Sequence, residues 1–302
     1  MRRCFDDYHR DHGISRDLPS QKHLPRRRRA VYLPGILSAH LKTLEAELGC
    51  TLLIRRKGKR SLSLTTQGQA FYQLALQYQN LMQKMSALDK GEALETLQIS
   101  AISSVGNYIL PPVLKHFLGK YPRIRLTMQD IEAEEAFLSI IGGKTDMAFS
   151  TAKMETDQIV AIPFLRDPFT ILCTADAPFA QTVTLKELSN WDEVYLRWSA
   201  EYEFWHQTAF GVESLCQFQL DLPNHLPLFV DRPGKWALVP QSVADKLCSD
   251  GKLRQCSPTF RVPDRTLYIL RRRDNAESDS IHCFLDALRE VLQQPFGDNL
   301  LL

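Results

Sequence analysis

Leucines recur along one face of a predicted helix in the first quarter of the chain. Their spacing of four, three and four residues forms a single apolar stripe, and Gly49 follows it where a C-terminal cap belongs. Strand-like stretches at 51–55 and 61–64 then flank the cationic sequence 56–60. A helix followed by a basic hairpin is typical of winged-helix domains that bind DNA. The leucines are Leu37, Leu41, Leu44 and Leu48.

A second apolar series predicts a helix that pairs two copies of the chain. Thr65 and Thr66 are suited to cap its start, and Thr66 with Gln69 fits a capping box. Apolar residues then alternate three and four positions apart over nearly three heptads, as in a coiled-coil seam. Packing against its own domain is the alternative, but dimerisation is favoured because doubling a DNA-reading head increases its affinity. The seam comprises Phe71, Leu74, Tyr78, Leu81, Met85 and Leu88.

From residue 91 onward, short apolar strands alternate with helices. The strand–helix order over 97–150, with one helix at 108–118, predicts a parallel sheet covered by helices. Further strands and helices follow over 169–292. Two small α/β lobes joined by crossing segments account for these elements, and the cleft between them is the predicted ligand site.

The net charge of +2 conceals an asymmetry along the chain. Residues 1–66 contain 15 Lys and Arg against 6 Asp and Glu, a net +9, whereas residues 67–302 contain 22 against 29, a net −7. A basic head on an acidic body indicates that the head meets a polyanion. The four arginines at 26–29 form either a solvated segment or a loose phosphate contact.

Motifs in the chain resemble those of the LysR-type transcriptional regulators. Ser38–Gly49 resembles the end of that family's recognition helix, and 53–68 resembles its wing and the start of its linker helix. Motifs of the family's effector domain follow in the same order. They are Gly106–Pro112, Tyr121–Ile124, Gly143–Ala148, Pro163-Phe164 and Trp236–Pro240.

The resemblance implies an α/β protein with a winged helix–turn–helix head, a linker helix and a two-lobed effector domain like that of periplasmic binding proteins. It implies a homodimer, or a tetramer of two dimers, that binds double-stranded operator DNA and responds to a small-molecule effector without a cofactor. The expected divisions are a basic segment at 1–35, recognition helix and wing at 36–65, dimerisation helix at 66–90, and effector-binding domain at 91–302. Residues 97–162 and 265–302 would form its first lobe and 163–264 its second.

Two sets of site residues follow from the motifs and the resemblance. Each set has an alternative interpretation. The residues of the DNA set could instead be ordinary solvated surface. In the effector set, the serines could serve only to form turns, and Phe229 could pack in the core. The DNA set is Ser38, His40 and Lys42 on the helix and Arg55, Arg56, Lys59 and Arg60 on the wing. The effector set is Ser103, Ser104, Asp130, Ile131 and Ser150 from the first lobe, with Arg197, Trp198, Phe229 and Val230 from the second.

Residues 1–35 depart from the family's pattern. The family opens with two helices and a Ser-Gln-Pro-like turn, but Leu33-Pro34-Gly35 occupies the turn and 1–32 show neither helix. An altered reading frame or an incorrect start is the hypothesis, and an in-phase conventional start upstream of codon 36 would support it. A ligand-binding dimerisation module without a working DNA-binding head is therefore the alternative function.

Several classes of protein are disfavoured by composition and motifs. No uncharged apolar run reaches the 18 residues of a membrane span, and no export signal opens the chain, which favours the cytoplasm over a periplasmic solute receptor. Seven scattered cysteines and eight histidines show no metal-ligand spacing. Without GxSxG, P-loop, HExxH or GxGxxG motifs, the sequence predicts no enzyme and no catalytic residue.

Overall fold

The computed structural model describes residues 34–55, 62–72, 74–75, 78, 82, 95–211, 216–274 and 278–302. The chain divides into two compact units, Met1–Ala75 and Leu76–Leu302. The division falls inside the range 66–90 that the sequence assigns to the dimerisation helix. Each unit is described by itself.

The first unit contains the predicted helix and hairpin. Helix α1 spans Pro34–Leu48 and ends at Gly49, whose φ of +65° is the left-handed conformation that favours glycine at a helix end. Strands β1 (Leu53–Arg55) and β2 (Leu62–Leu64) pair antiparallel, with Leu53 opposite Leu64. Helix α2 begins at residue 66 and covers 66–72, with further helical residues at 74, 75, 78 and 82.

Three polar contacts and one close approach join α1, the hairpin and α2. The Glu45 carboxylate accepts the backbone N–H groups of Leu52 (2.7 Å) and Leu53 (3.1 Å). The Thr65 hydroxyl accepts the N–H of Gly68 at 2.8 Å, so Thr65 is the cap, and the prediction of a Thr66 capping box is wrong. A Cβ at Gly68 would lie 2.0 Å from the Leu52 carbonyl oxygen, so a residue with a side chain does not fit there.

The first lobe of the second unit is a five-stranded sheet. Its strands are β3 (Glu95–Ala101), β4 (Ile124–Asp130), β5 (Met147–Ser150), β6 (Ile159–Arg166) and β13 (Thr266–Arg272), in the order β4-β3-β5-β13-β6. The predicted parallel pairing holds for β3 with β4 and β5, whereas β13 runs antiparallel to both of its neighbours. Helices α3 (Ser103–Tyr108), α4 (Leu110–Lys120), α5 (Ala133–Ile141) and α9 (Asp279–Phe296) belong to this lobe.

The second lobe is built on a four-stranded sheet of mostly antiparallel strands. Strands β7 (Phe169–Thr174), β8 (Thr182–Val183), β11 (Trp236–Pro240) and β12 (Leu253–Pro258) lie in the order β11-β7-β12-β8. A smaller parallel pair joins β9 (Val194–Tyr195) to β10 (Phe218–Gln219). The helices are α6 (Ala200–Phe210), α7 (Leu226–Phe229) and α8 (Gln241–Leu247).

Three features of the lobes differ from the sequence-based expectation. The helix expected at 108–118 is present as α4, with Pro111 and Pro112 in its first turn as predicted, but an additional helix, α3, precedes it. Strand β6 carries Pro163 and Phe164 in the first lobe, not the second, and proline is tolerated there because β6 is an edge strand. Strands β6, β8 and β12 were not expected; in β12, apolar and polar residues do not alternate along the sequence.

Hydrophobic packing follows the two lobes. The first-lobe core surrounds Phe117, Phe149, Phe164 and Phe284. The second-lobe core surrounds Trp236 and Tyr202, and Tyr108 from α3 also packs into it. Burial raises the pKa of Tyr108 to about 12. Helix α3 therefore contributes to the packing of both lobes.

The described cysteines are free thiols, and two of them, Cys173 and Cys256, are fully buried in the second lobe. Burial raises the pKa of the Cys173 thiol to about 12, as expected of a cysteine that packs as a small apolar side chain. Among the described residues, none of the helices combines the length and the apolar composition that crossing a membrane requires.

Candidate functional site

A cavity of about 490 Å³ lies between the two lobes. Its first-lobe wall is formed where the parallel strands β3, β4 and β5 end, at 102–104, 131–134 and 151–154. Its second-lobe wall is formed by 196–201, after β9, and by Asp221 and Pro223 after β10. The carboxyl ends of parallel strands meet at one edge of a sheet, which is where ligands bind in open α/β folds.

The structure brings five of the nine predicted effector residues into the wall of this cavity. They are Ser103, Ser104, Ile131, Arg197 and Trp198. Asp130 is exposed and does not line the cavity, but it adjoins the wall, because both of its carboxylate oxygens accept the Ser103 hydroxyl, at 3.0 and 2.9 Å. Asp130 thereby orients Ser103 at the cavity edge.

The other three predicted residues lie outside the wall. Ser150 is fully buried and its hydroxyl accepts the Ala152 N–H at 3.1 Å, so the chain turns into the cavity one residue later, at Thr151. Val230 is 1% exposed in the second-lobe core. The Phe229 ring centre lies 4.5 Å from that of Phe218, but Phe229 is 38% exposed, so it neither lines the cavity nor packs in the core as the alternative expected.

A buried hydrogen-bonded chain connects the lobes beside the cavity. Arg265 lines the cavity but is 4% exposed, and its Nη1 donates to the Asp167 carboxylate at 2.7 Å. Its Nη2 donates to the Ser104 hydroxyl on α3. Asp167 in turn accepts the N–H (3.0 Å) and the hydroxyl (2.7 Å) of Ser242 at the start of α8. One ion pair thus joins a first-lobe helix to a second-lobe helix.

The environment of Arg265 is unusual for a guanidinium. Burial lowers its pKa, and the adjacent Asp167 carboxylate opposes that effect. Its guanidinium carbon lies 5.6 Å from the centre of the Trp198 ring. The Nε–H has no hydrogen-bond acceptor within the described part of the chain. This Nε–H is itself inaccessible, so Arg265 keeps one buried unsatisfied donor.

The second-lobe wall is supported by a buried carboxylate. Trp198 is positioned by its indole N–H, which donates to the Leu238 carbonyl at 2.7 Å. Before the wall, Glu193 is fully buried, and its carboxylate lies 2.7 Å from the Nε2 of His206 on α6. Burial raises the pKa of Glu193, and His206 partly opposes this. The pair joins the segment before the wall to the helix that follows it.

Charges at the cavity are mixed in sign. The lining cations are Lys153, Arg197 and Arg265, and Arg197 also pairs with Glu203 at 2.9 Å. Carboxylates are more numerous and come from both lobes and from a connecting segment. They are Glu132, Glu134, Glu201, Asp221 and Asp264.

The candidate nucleic-acid interface lies on the first unit. Helix α1 carries Ser38, His40 and Lys42, and the side chains of His40 and Lys42 are exposed. Arg55 is the last residue of β1. The predicted wing residues Arg56, Lys59 and Arg60 lie outside the described residues. The helix and hairpin are therefore present, with two of the predicted contacts open to solvent.

Part of the predicted dimerisation seam is described. Three of its residues are helical: Phe71, Leu74 and Tyr78. The other three lie outside the described residues: Leu81, Met85 and Leu88. Leu74 is 62% exposed and Tyr78 is 43% exposed. Apolar side chains on a helix that are this exposed are suited to pairing with another helix.

Sequence reasoning missed Asp167, Arg265 and Ser242. Asp167 and Arg265 lie 98 positions apart, and each stands in a polar segment between strands that reads as exposed loop. The carboxylates Glu132 and Glu134 are exposed at the start of α5 and also line the cavity. No group of three or more potential metal ligands occurs among the described His, Cys, Asp and Glu residues.

Comparison with known proteins gives concordant matches. The family model of the LysR substrate binding domain matches residues 90–293. HTH-type transcriptional regulator cbl of Escherichia coli (strain K12) is 28% identical over 167 residues, covering 53% of this chain and 52% of the relative. The chain thus spans about half the length of the curated relatives that it matches.

Solved structures share the fold over most of the chain. A full-length OxyR variant from Pseudomonas aeruginosa has a TM-score of 0.59 at 20% identity, covering 84% of this chain and 88% of that one. Full-length CbnR, solved in complex with its target DNA, has a TM-score of 0.58 at 16% identity, covering 85% and 90%. At these identities the likeness concerns the fold.

Proposed function

Because the chain belongs to the LysR substrate binding domain family, we propose that it is a dimeric transcriptional regulator that binds operator DNA through its first unit. A small molecule bound between the two lobes changes that DNA contact. The main observation in support of this proposal is that one chain contains both a helix-and-hairpin unit and a two-lobed unit with a cavity of about 490 Å³. The proposal includes no catalytic activity, metal or cofactor, and it locates the protein in the cytoplasm.

The composition of the first unit supports DNA binding. Residues 1–66 have a net charge of +9, and the wing sequence 56–60 contains four cations. Recognition helix and wing (36–65) would contact base edges and phosphates, respectively. The solved DNA complex of CbnR, which has the same fold, supports this arrangement.

The exposed seam on α2 supports self-association. Dimerisation through 66–90 would place two heads on paired half-sites, and two dimers would form the tetramer that the sequence analysis allows. Effector binding would change the angle between the lobes of 91–302, and with it the spacing of the heads.

DNA selection on the full-length chain tests the proposal. The purified protein is incubated with a random-sequence DNA pool over a series of salt concentrations. We expect enrichment of an interrupted palindrome, with an affinity that falls steeply as salt rises. Replacing the wing cations Arg55, Arg56, Lys59 and Arg60 by alanine should lower the salt slope by about 3–4 while keeping the preferred sequence.

A matched variant separates the wing from the arginine run. Replacing Arg26, Arg27, Arg28 and Arg29 by alanine removes the same number of charges outside the predicted interface. If this variant, and not the wing variant, loses DNA binding, the chain acts as a simple polycation. If no DNA binds, the ligand-binding dimerisation module without a working head replaces the regulator.

A further inference from the structure

Helix α3 belongs to the first lobe but also contacts the second. It follows β3 in the chain and lies against α8 and against Pro223–His225 of the second lobe. Its Tyr108 packs into the second-lobe core. The same helix begins at the cavity, because Ser103 and Ser104 line the wall. One short helix therefore touches both lobes and the cavity between them.

The chain crosses between the lobes in two segments, 167–168 and 259–265. The Asp167 N–H donates to the Arg265 carbonyl at 2.9 Å, which joins the two segments side by side. The Gln241 N–H, at the start of α8, donates to the Pro168 carbonyl at 2.7 Å. The Asp167 carboxylate also accepts two hydrogen bonds from Ser242. The crossing segments are thus fastened firmly to the second lobe.

The attachment of the crossing segments to α3 is much smaller. Among the side-chain hydrogen bonds of the described residues, only the one from Arg265 Nη2 to the Ser104 hydroxyl joins a crossing segment to α3. Ser104 is 5% exposed and Arg265 is 4% exposed, so water does not readily replace this bond. A hydrogen bond from a charged donor is about twice as strong as a neutral one. The contact is therefore strong while it is closed, yet it can open at a single point.

We propose that the Ser104–Arg265 hydrogen bond is a latch that holds the two lobes at the angle of this structure. When the latch opens, α3 separates from the crossing segments and the lobes rotate about those segments. Both latch residues line the cavity, so a ligand that moves either of them acts on the latch. The control of DNA contact by the latch rests on the proposed function, whereas the latch itself does not.

Hydrogen exchange of the full-length protein tests the latch in the variant Ser104→Ala. This change removes the acceptor and keeps the Asp167–Arg265 pair, so the variant should fold. We expect exchange in the crossing segments and α3 to become about tenfold faster, because a buried hydrogen bond to a charged group is lost. The faster exchange should not depend on low concentrations of urea, since separation of the lobes exposes far less surface than unfolding.

Ser103→Ala is the matched control. Ser103 lies on the same helix and the same cavity wall, but its hydroxyl donates to Asp130 within the first lobe. The control variant loses a hydroxyl of equal size without touching the crossing segments. Exchange at 167–168 and 259–265 should therefore stay as in the wild type.

Three results would overturn the latch. These are unchanged exchange of the crossing segments in Ser104→Ala, an equal acceleration in Ser103→Ala, or an acceleration that rises steeply with urea, as expected of a bond that only adds to overall stability. DNA selection on the same preparations keeps the two proposals separate. If the wild type recovers no operator while Ser104→Ala exchanges faster, the regulator falls and the latch stands. Recovery of an operator together with unchanged exchange removes only the latch.

Discussion

Asp167 shows how one buried carboxylate positions the lobes around the cleft. It accepts three hydrogen bonds, two from Ser242 and one from Arg265. The side chains of Asp167 and Arg265 are 0% and 2% exposed, so water does not replace a lost partner. In such a pair, the desolvation of each charge is offset by the other, and removing one leaves the second uncompensated.

We therefore expect Asp167→Asn to lower the free energy of unfolding of the second lobe by about 3–5 kcal/mol. Urea denaturation followed by tryptophan fluorescence measures this, because all four tryptophans lie in that lobe. Asp250→Asn is the matched control, since Asp250 pairs with Lys252 in an exposed position. The control should change stability by less than about 1 kcal/mol. Equal effects of the two variants would contradict a structural role for the buried pair.

At the scale of elements, the hairpin and the helix that follows it require a glycine, which has no side chain, where they approach each other. Gly68 lies in the first turn of α2, against the backbone of Leu52 just before β1. The Thr65 hydroxyl caps the same turn by accepting the Gly68 N–H. The close approach and the cap together determine where α2 leaves the hairpin.

Gly68→Ala should destabilise the first unit by about 1–3 kcal/mol, because its Cβ would overlap the Leu52 carbonyl. Hydrogen exchange should then become faster at residues 51–72, where these elements meet. Gly119→Ala in α4 is the control, as its Cβ would meet no atom within 4 Å. That variant should stabilise its helix by about 0.5–1 kcal/mol. Unchanged exchange in Gly68→Ala would show that the close approach relaxes freely.

At the scale of the whole molecule, the charge asymmetry and the apolar seam indicate an assembly. The basic residues are concentrated in 1–66, and the seam begins directly after them at Phe71. Leu74, at 62% exposed, is an apolar side chain that a second helix would cover.

Leu74→Glu should shift the proposed dimer toward monomer, because it introduces a charge into the seam of both chains. Sedimentation velocity at micromolar concentration measures the change. Gln69→Glu adds the same side chain to the same helix off the seam and should leave the dimer intact. A dimer that persists in Leu74→Glu would locate self-association elsewhere.

The local pattern of the chain was sufficient for many of its elements and their order, although not for β6, β8, β12 or α3. The leucine stripe predicted α1, the basic stretch between apolar pairs predicted the hairpin, and the strand–helix alternation predicted the parallel core of the first lobe. Each of these depends on periodicity or on a turn between neighbouring residues, which the linear sequence contains. The strand ends and the family resemblance together placed the cavity between the lobes and included five of the residues that line it.

What only the tertiary structure decided concerns contacts between distant residues. The sequence places Phe229 and Val230 together before a loop, but lobe packing determined that Val230 turns into the core while Phe229 stays exposed against Phe218, and that neither lines the cavity. The Asp167–Arg265 pair joins positions 98 residues apart. Burial and partner choice for polar side chains depend on which segments pack together, and no local periodicity records that. Most of the elements thus follow from the sequence, whereas the polar connection between the lobes follows from how they pack.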